Sequence, residues 1–179
     1  GYGVETAFRE RLSELGLPYV VGVTGRVTVW PPGHAPLPPE PYSGRGNVPT
    51  RQRLGDAKHQ RPLSVKELAF ELDPSQWQSL EWREGTNFTL RSRFARVRVH
   101  AAHRDHQRSQ LRPREWLLIE WPEGHREPMK YWLSTLPEDV PLQRMVLEAK
   151  MRWRIERDYQ DLKQELGLGH YEGRGWRGF

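Results

Sequence analysis

Four side chains near the end of the chain have the types and spacing to handle a metal-bound phosphate: Arg152, Glu156, Tyr159 and Lys163. Steps of four, three and four residues place them on one stripe of a helix. On that stripe a carboxylate, an oxygen ligand suited to Mg2+, is flanked by two cations suited to phosphate. Arg154 adds a further cation to the segment. The same pattern also describes an ordinary charge stripe on a solvated helix, and spacing alone leaves both readings open.

The element that must position these residues is a helix predicted over residues 141–166. Met151, Ile155, Leu162 and Leu166 give it an apolar stripe beside the charged one. Asp139 is its expected cap, Pro141 belongs to its first turn, and Gly167 and Gly169 end it. Such a helix is about 39 Å long.

Upstream, Val4, Phe8, Leu12 and Leu15 recur at helical spacing ahead of Gly16, predicting an amphipathic helix. Residues 19–24 are short, apolar and β-branched and read as a buried strand, with Val27, Val29 and Trp30 as its expected hairpin partner. Eight prolines crowd residues 31–62, together with several glycines and basic residues, and predict a long loop. Within it Gly44-Arg45-Gly46, like Gly173-Arg174-Gly175 near the end of the chain, reads as a flexible turn. Ser64 and Glu67 have capping-box spacing ahead of Val65, Leu68, Ala69 and Leu72, so a short helix starts there.

A strand-rich stretch follows. Ala95, Val97, Val99 and Ala101 alternate with Arg96, Arg98 and His100, predicting one apolar and one basic face. With Arg91, Arg93, Arg104 and Arg108 nearby, Arg96 and Arg98 read either as contacts to a phosphate backbone or as a solvated strand face. Residues 116–121 and 130–135 are further strands across a Pro/Gly turn. Trp77, Trp82, Trp116, Trp121 and Trp132 supply a β subdomain with packing or stacking rings. His100, His103 and His106 fit no regular helix face and read as a polar turn rather than a metal site.

Bulk properties narrow the classes. The 28 Lys and Arg residues exceed the 23 acidic ones, for a net charge of +5, which is compatible with a nucleic-acid partner. No cysteine is present, which excludes disulfides and thiolate metal sites. No apolar run approaches the roughly 20 residues of a membrane span, and residues 1–11 do not resemble a signal peptide. A mean hydropathy of −0.85 is low for a free-standing globular domain.

The segment Arg152-Trp153-Arg154-Ile155-Glu156 followed by Lys163 resembles the C-terminal signature of bacterial insertion-sequence DDE transposases, Tyr-x2-Arg-x3-Glu-x6-Lys. Three of its four positions match, and the tyrosine position holds Ala149. The run Tyr131-Trp132-Leu133-Ser134-Thr135-Leu136-Pro137 resembles the strand and turn that lead into that helix. The segments at residues 1–8, 17–24 and 170–176 resemble insertion sequence family 701, so the resemblance runs along almost the whole chain.

The resemblance implies an α/β fold: a partial RNase H-like core, an inserted antiparallel β-rich subdomain and a long C-terminal helix. Residues 1–30 would belong to the core, 31–135 to the insertion, and 136–179 to the catalytic helix and tail. It implies that Glu156 is the third carboxylate of a DDE site holding two Mg2+ (or Mn2+) ions. Arg152, Arg154, Tyr159 and Lys163 would contact DNA, and Arg96 and Arg98 are added from the basic strand face. The implied partner is DNA at insertion ends and target, with two copies joined in a synaptic complex. The implied setting is the cytoplasm of a bacterium, at the nucleoid. In the family both aspartates precede a turn resembling Gly1-Tyr2-Gly3, so the chain as given is expected not to cleave DNA alone. The alternative is a truncated, non-catalytic remnant that at most binds DNA.

Overall fold

A computed structural model describes residues 5–53, 61–83, 89–102, 111–151 and 162–165. Its elements are α1 (Thr6–Glu14), β1 (Val20–Val23), β2 (Thr28–Trp30), β3 (Leu63–Ser64), α2 (Val65–Glu71), β4 (Gln78–Arg83), β5 (Thr89–Ala101), β6 (Arg114–Pro122), β7 (Lys130–Ser134) and α3 (Leu142–Lys150). Among the described residues the fold is a mixture of helices and strands built on one seven-stranded sheet. Its order is β1-β7-β6-β5-β2-β3, with β4 also paired to β5, and each of its pairings is antiparallel.

The hairpin expected between β1 and β2 does not form. β1 pairs with β7, while β2 pairs with β3 and β5. Residues 24–27 are nonetheless a tight turn, with the Val27 amide donating to Thr24 O at 3.1 Å. So short a link cannot cross four strand spacings of flat sheet, about 19 Å. The sheet therefore curls, bringing β1 and β2 near each other without pairing them.

Strand alternation sorts the core onto the two faces. Val97 and Val99 of β5, Leu117 and Ile119 of β6, and Tyr131 and Leu133 of β7 join Val29 and Val65, Leu68 and Ala69 of α2 in one cluster. Phe94, Leu118, Trp132 and Trp82 face the other way and pack on Leu142, Met145, Val146 and Ala149 of α3. α2 starts where Ser64 predicts: its hydroxyl accepts from the Glu67 amide at 3.1 Å, and the Glu67 carboxylate accepts from the Ser64 amide at 2.8 Å.

Two helices depart from expectation. α1 ends before Gly16, whose φ of 66° is left-handed, but Phe8 and Leu15 of the expected apolar stripe are exposed. The buried residue of α1 is Arg9, at 1% exposure, because an acid on the sheet receives it. α3 begins with Pro141 as its cap residue in extended backbone, with no side-chain cap, so Asp139 does not perform the role expected of it. Asp139 instead sits in the preceding turn, where the Val140 amide donates to Pro137 O at 3.3 Å. Of the helix expected over 141–166, Leu142–Lys150 and residues 162–165 are helical, and residues 152–161 and 166 lie outside the described residues.

Candidate functional site

The approach to α3 is held by the basic face of β5. Arg96 donates to the carbonyl of Val140, and Arg98 pairs with Glu138 at 3.1 Å. Both guanidiniums lie over Trp116 of β6, at 4.5 and 5.0 Å from its centroid, while the Trp116 indole N–H donates to Pro137 O at 3.2 Å. Alternation along β5 places the two arginines on this face, and cross-strand register sets Arg98 opposite Trp116. The predicted pair is therefore brought together, with the 137–140 turn as its partner.

The far end of α3 is held by a buried ion pair that sequence reasoning missed. Lys150 Nζ donates to both carboxylate oxygens of Glu120 at 2.7 Å, with the two side chains 8% and 3% exposed. The ammonium also sits 3.8 Å from the Trp82 centroid and 5.5 Å from that of Trp132. Buried charges are tolerated only with this kind of pairing, and ring faces add attraction for the cation. The available signal was Glu120 itself, an acid directly after the apolar run Leu117-Leu118-Ile119. Ala149, at the tyrosine position of the signature, is buried in the same cluster.

A second polar centre ties α1 to the sheet. Arg9 reaches both oxygens of Glu115 at 3.3 Å, and the Tyr19 hydroxyl donates to Glu115 at 2.9 Å. Arg112 pairs with Glu10 at 2.6 Å across a cleft of about 280 Å3 lined also by Ser13 and Thr135. Burial first, then the Glu115 charge, pushes ionisation of Tyr19 well above the usual phenol range. Burial and the Glu127 charge push Tyr131 up to about 12.

Of the other predicted residues, Lys163 lies in the helical stretch 162–165 and is half-buried. Glu156, Arg152, Arg154 and Tyr159 lie outside the described residues. His100 shares a hydrogen bond with Arg112 O at 2.7 Å, and His103 and His106 lie outside the described residues. Among the described residues no three His, Asp or Glu side chains are grouped to hold a metal ion. The described side chains thus do not themselves make a divalent-cation site. Among them, too, no helix is long and apolar enough to cross a membrane.

No curated protein and no solved structure matches the chain. Residues 1–89 match the family model described as DDE superfamily endonuclease, a range that runs from α1 through β4 to the first residue of β5. Over those residues, about half of its length, the chain is that of a DDE superfamily endonuclease.

Proposed function

We propose that the chain is the C-terminal part of a transposase that cuts and joins DNA at insertion-sequence ends, and that Glu156 is one of its metal-binding carboxylates. The observation that carries this reading is the family match over residues 1–89. The spacing Arg152-x3-Glu156-x6-Lys163 supports it from the other end of the chain. In this reading the sheet belongs to an RNase H-like core with a β-rich insertion. Two Mg2+ (or Mn2+) ions are the cofactor, supplying activation of water and of a DNA 3′-hydroxyl when bound. Arg152, Arg154, Tyr159 and Lys163 contact the strand beside Glu156, and a pair of copies joins two DNA ends.

What the described residues contribute is positioning. Arg96, Arg98 and Trp116 fix the entry to α3, and Lys150 with Glu120 fixes its last turn. In the sequence, Arg152 and Glu156 follow closely on that anchored turn.

Binding and cleavage assays on duplex DNA carrying insertion ends, with Mg2+, test the reading. DNA binding weakened in Arg152→Ala and Lys163→Ala supports the strand contacts. Bound Mn2+, followed by electron paramagnetic resonance on the complex, is expected to fall in Glu156→Gln; an unchanged signal would remove Glu156 from the metal site. Cleavage lost in Glu156→Ala assigns catalysis to this chain itself. DNA binding without cleavage assigns it the part of a non-catalytic module, and no DNA binding at low salt sinks both.

A further inference from the structure

The excursion between β2 and β3 has a built base. Leu37 and Arg53 face each other in an antiparallel bridge, with amide–carbonyl hydrogen bonds of 2.9 and 3.0 Å. The Arg53 side chain closes the same base, donating to Pro38 O at 3.2 Å and pairing with Glu40 at 2.9 Å. Residues 38–52 project from it as a loop, and the Tyr42 hydroxyl donates to Gly46 O at 3.4 Å across the tip.

Charge on this loop is one-sided. Glu40 is its one carboxylate and is engaged by Arg53, whereas Arg45 and Arg51 are exposed and have no polar partner among the described residues. Arg45 stands between Gly44 and Gly46, at φ of 82° and 78°. Beyond the Cβ position of each glycine the space is open, so backbone conformation and not packing requires glycine there. The result is a tight tip with a guanidinium at its apex and bare backbone on both sides, open to close approach by another surface. Tyr42 and Val48, at 51% and 63% exposure, flank that tip without burial.

The geometry points to the loop 37–53 as an arm that holds duplex DNA through its phosphates, independently of sequence and apart from the residues proposed to cut it. The inference rests on the reading of the chain as a DNA-handling protein. A guanidinium forks onto phosphate oxygens in two parallel hydrogen bonds, and a glycine-flanked tip lets the backbone approach a strand without a Cβ between. The proline run from Pro36 to Pro41 is the feature a protein partner would use, since proline-rich segments dock in aromatic grooves. Here the Pro38 carbonyl and Glu40 are already engaged by Arg53, and the unpaired charges of the loop are cationic. Phosphate is the better complement.

The test is fluorescence anisotropy of a labelled duplex of arbitrary sequence, titrated with the chain from about 50 to 200 mM salt. Arg45→Ala/Arg51→Ala is expected to weaken binding about tenfold and to reduce the slope of log affinity against log salt by about 1.8, or about 0.9 for each phosphate left without its arginine. Arg45→Lys/Arg51→Lys is expected to keep most of the slope, and both variants to keep the wild-type melting midpoint. Arg45→Gln/Arg51→Gln serves in place of the alanine variant if that midpoint moves. Wild-type binding with an unchanged slope in the neutral variants overturns the arm, leaves DNA handling intact and returns the proline run as a protein-docking segment. A wild-type chain that binds no duplex at low salt overturns both.

Discussion

Lys150 and Glu120 place two buried charges where α3 ends on the sheet, and the ring faces of Trp82 and Trp132 enclose them. Removing one partner of such a pair strands the other, so Lys150→Ala is expected to destabilise the fold by about 3–5 kcal/mol. Lys150→Met/Glu120→Leu is expected to restore most of that loss, since apolar replacement of a buried pair is often neutral or better. Urea unfolding compares the two, and a single variant as stable as wild type would mean that water reaches Glu120. Tyr19 and Tyr131 act in the alkaline range. Folded, both phenols hold their protons more tightly than in the unfolded chain, Tyr131 up to about 12. Their contribution is therefore fully present below about pH 10 and is lost as pH rises beyond it. In Tyr19→Phe the fall of unfolding free energy with pH above that point is expected to be about half as steep, one tyrosine remaining in place of two. Equal slopes would give Tyr19 an ordinary ionisation.

Single elements were legible to the degree that their causes are local. The Ser64–Glu67 capping box names its own helix, and Ser64→Ala is expected to cost about 1 kcal/mol in a urea or thermal melt. The same contacts have an acid signature. The Ser64 amide and hydroxyl hold the Glu67 carboxyl below its usual range, as Ser75 does for Asp73. That contribution is present above the ordinary carboxylate value of about 4 and is lost as pH falls through and below it. A midpoint–pH curve in Glu67→Gln that keeps the full wild-type acid slope would remove Glu67 from this account. The alternation of β5 was equally plain for Ala95, Val97, Val99 and Ala101, but Phe94, buried on the arginine-bearing face under α3, was not foreseen. What stayed hidden depended on partners far along the chain. Arg9 reads as a solvent-facing residue of α1 until Glu115, 106 positions away, receives it. Lys150 and Glu120 are 30 positions apart. The pairing of β1 with β7, not β2, is a property of the curled sheet and not of the turn between them. For the candidate site, Arg96 and Arg98 were placed on the correct face, but their engagement with the 137–140 turn was not foreseeable from alternation.

For the molecule as a whole, the two apolar clusters are opposite faces of the same strands. Leu117 and Ile119 belong to one, Leu118 between them to the other. Neither face can loosen while the other stays packed, so one cooperative unfolding transition is expected. Near-ultraviolet circular dichroism, which reads the environment of Trp82 and Trp132, should coincide with the far-ultraviolet signal through a urea titration. An earlier near-ultraviolet loss would show α3 detaching from an intact sheet. The strand order also bears on the proposed pairing of two copies. Its outer strands are β1 with four residues, β3 with two, and β4 with six, the last bearing the exposed Glu81. Strands this short offer few free backbone groups for another chain to zip onto, and a charge at the longest discourages it further. The described strands thus present little edge along which to grow, and the pairing of copies proposed above would rest on side-chain surfaces or on DNA held between them.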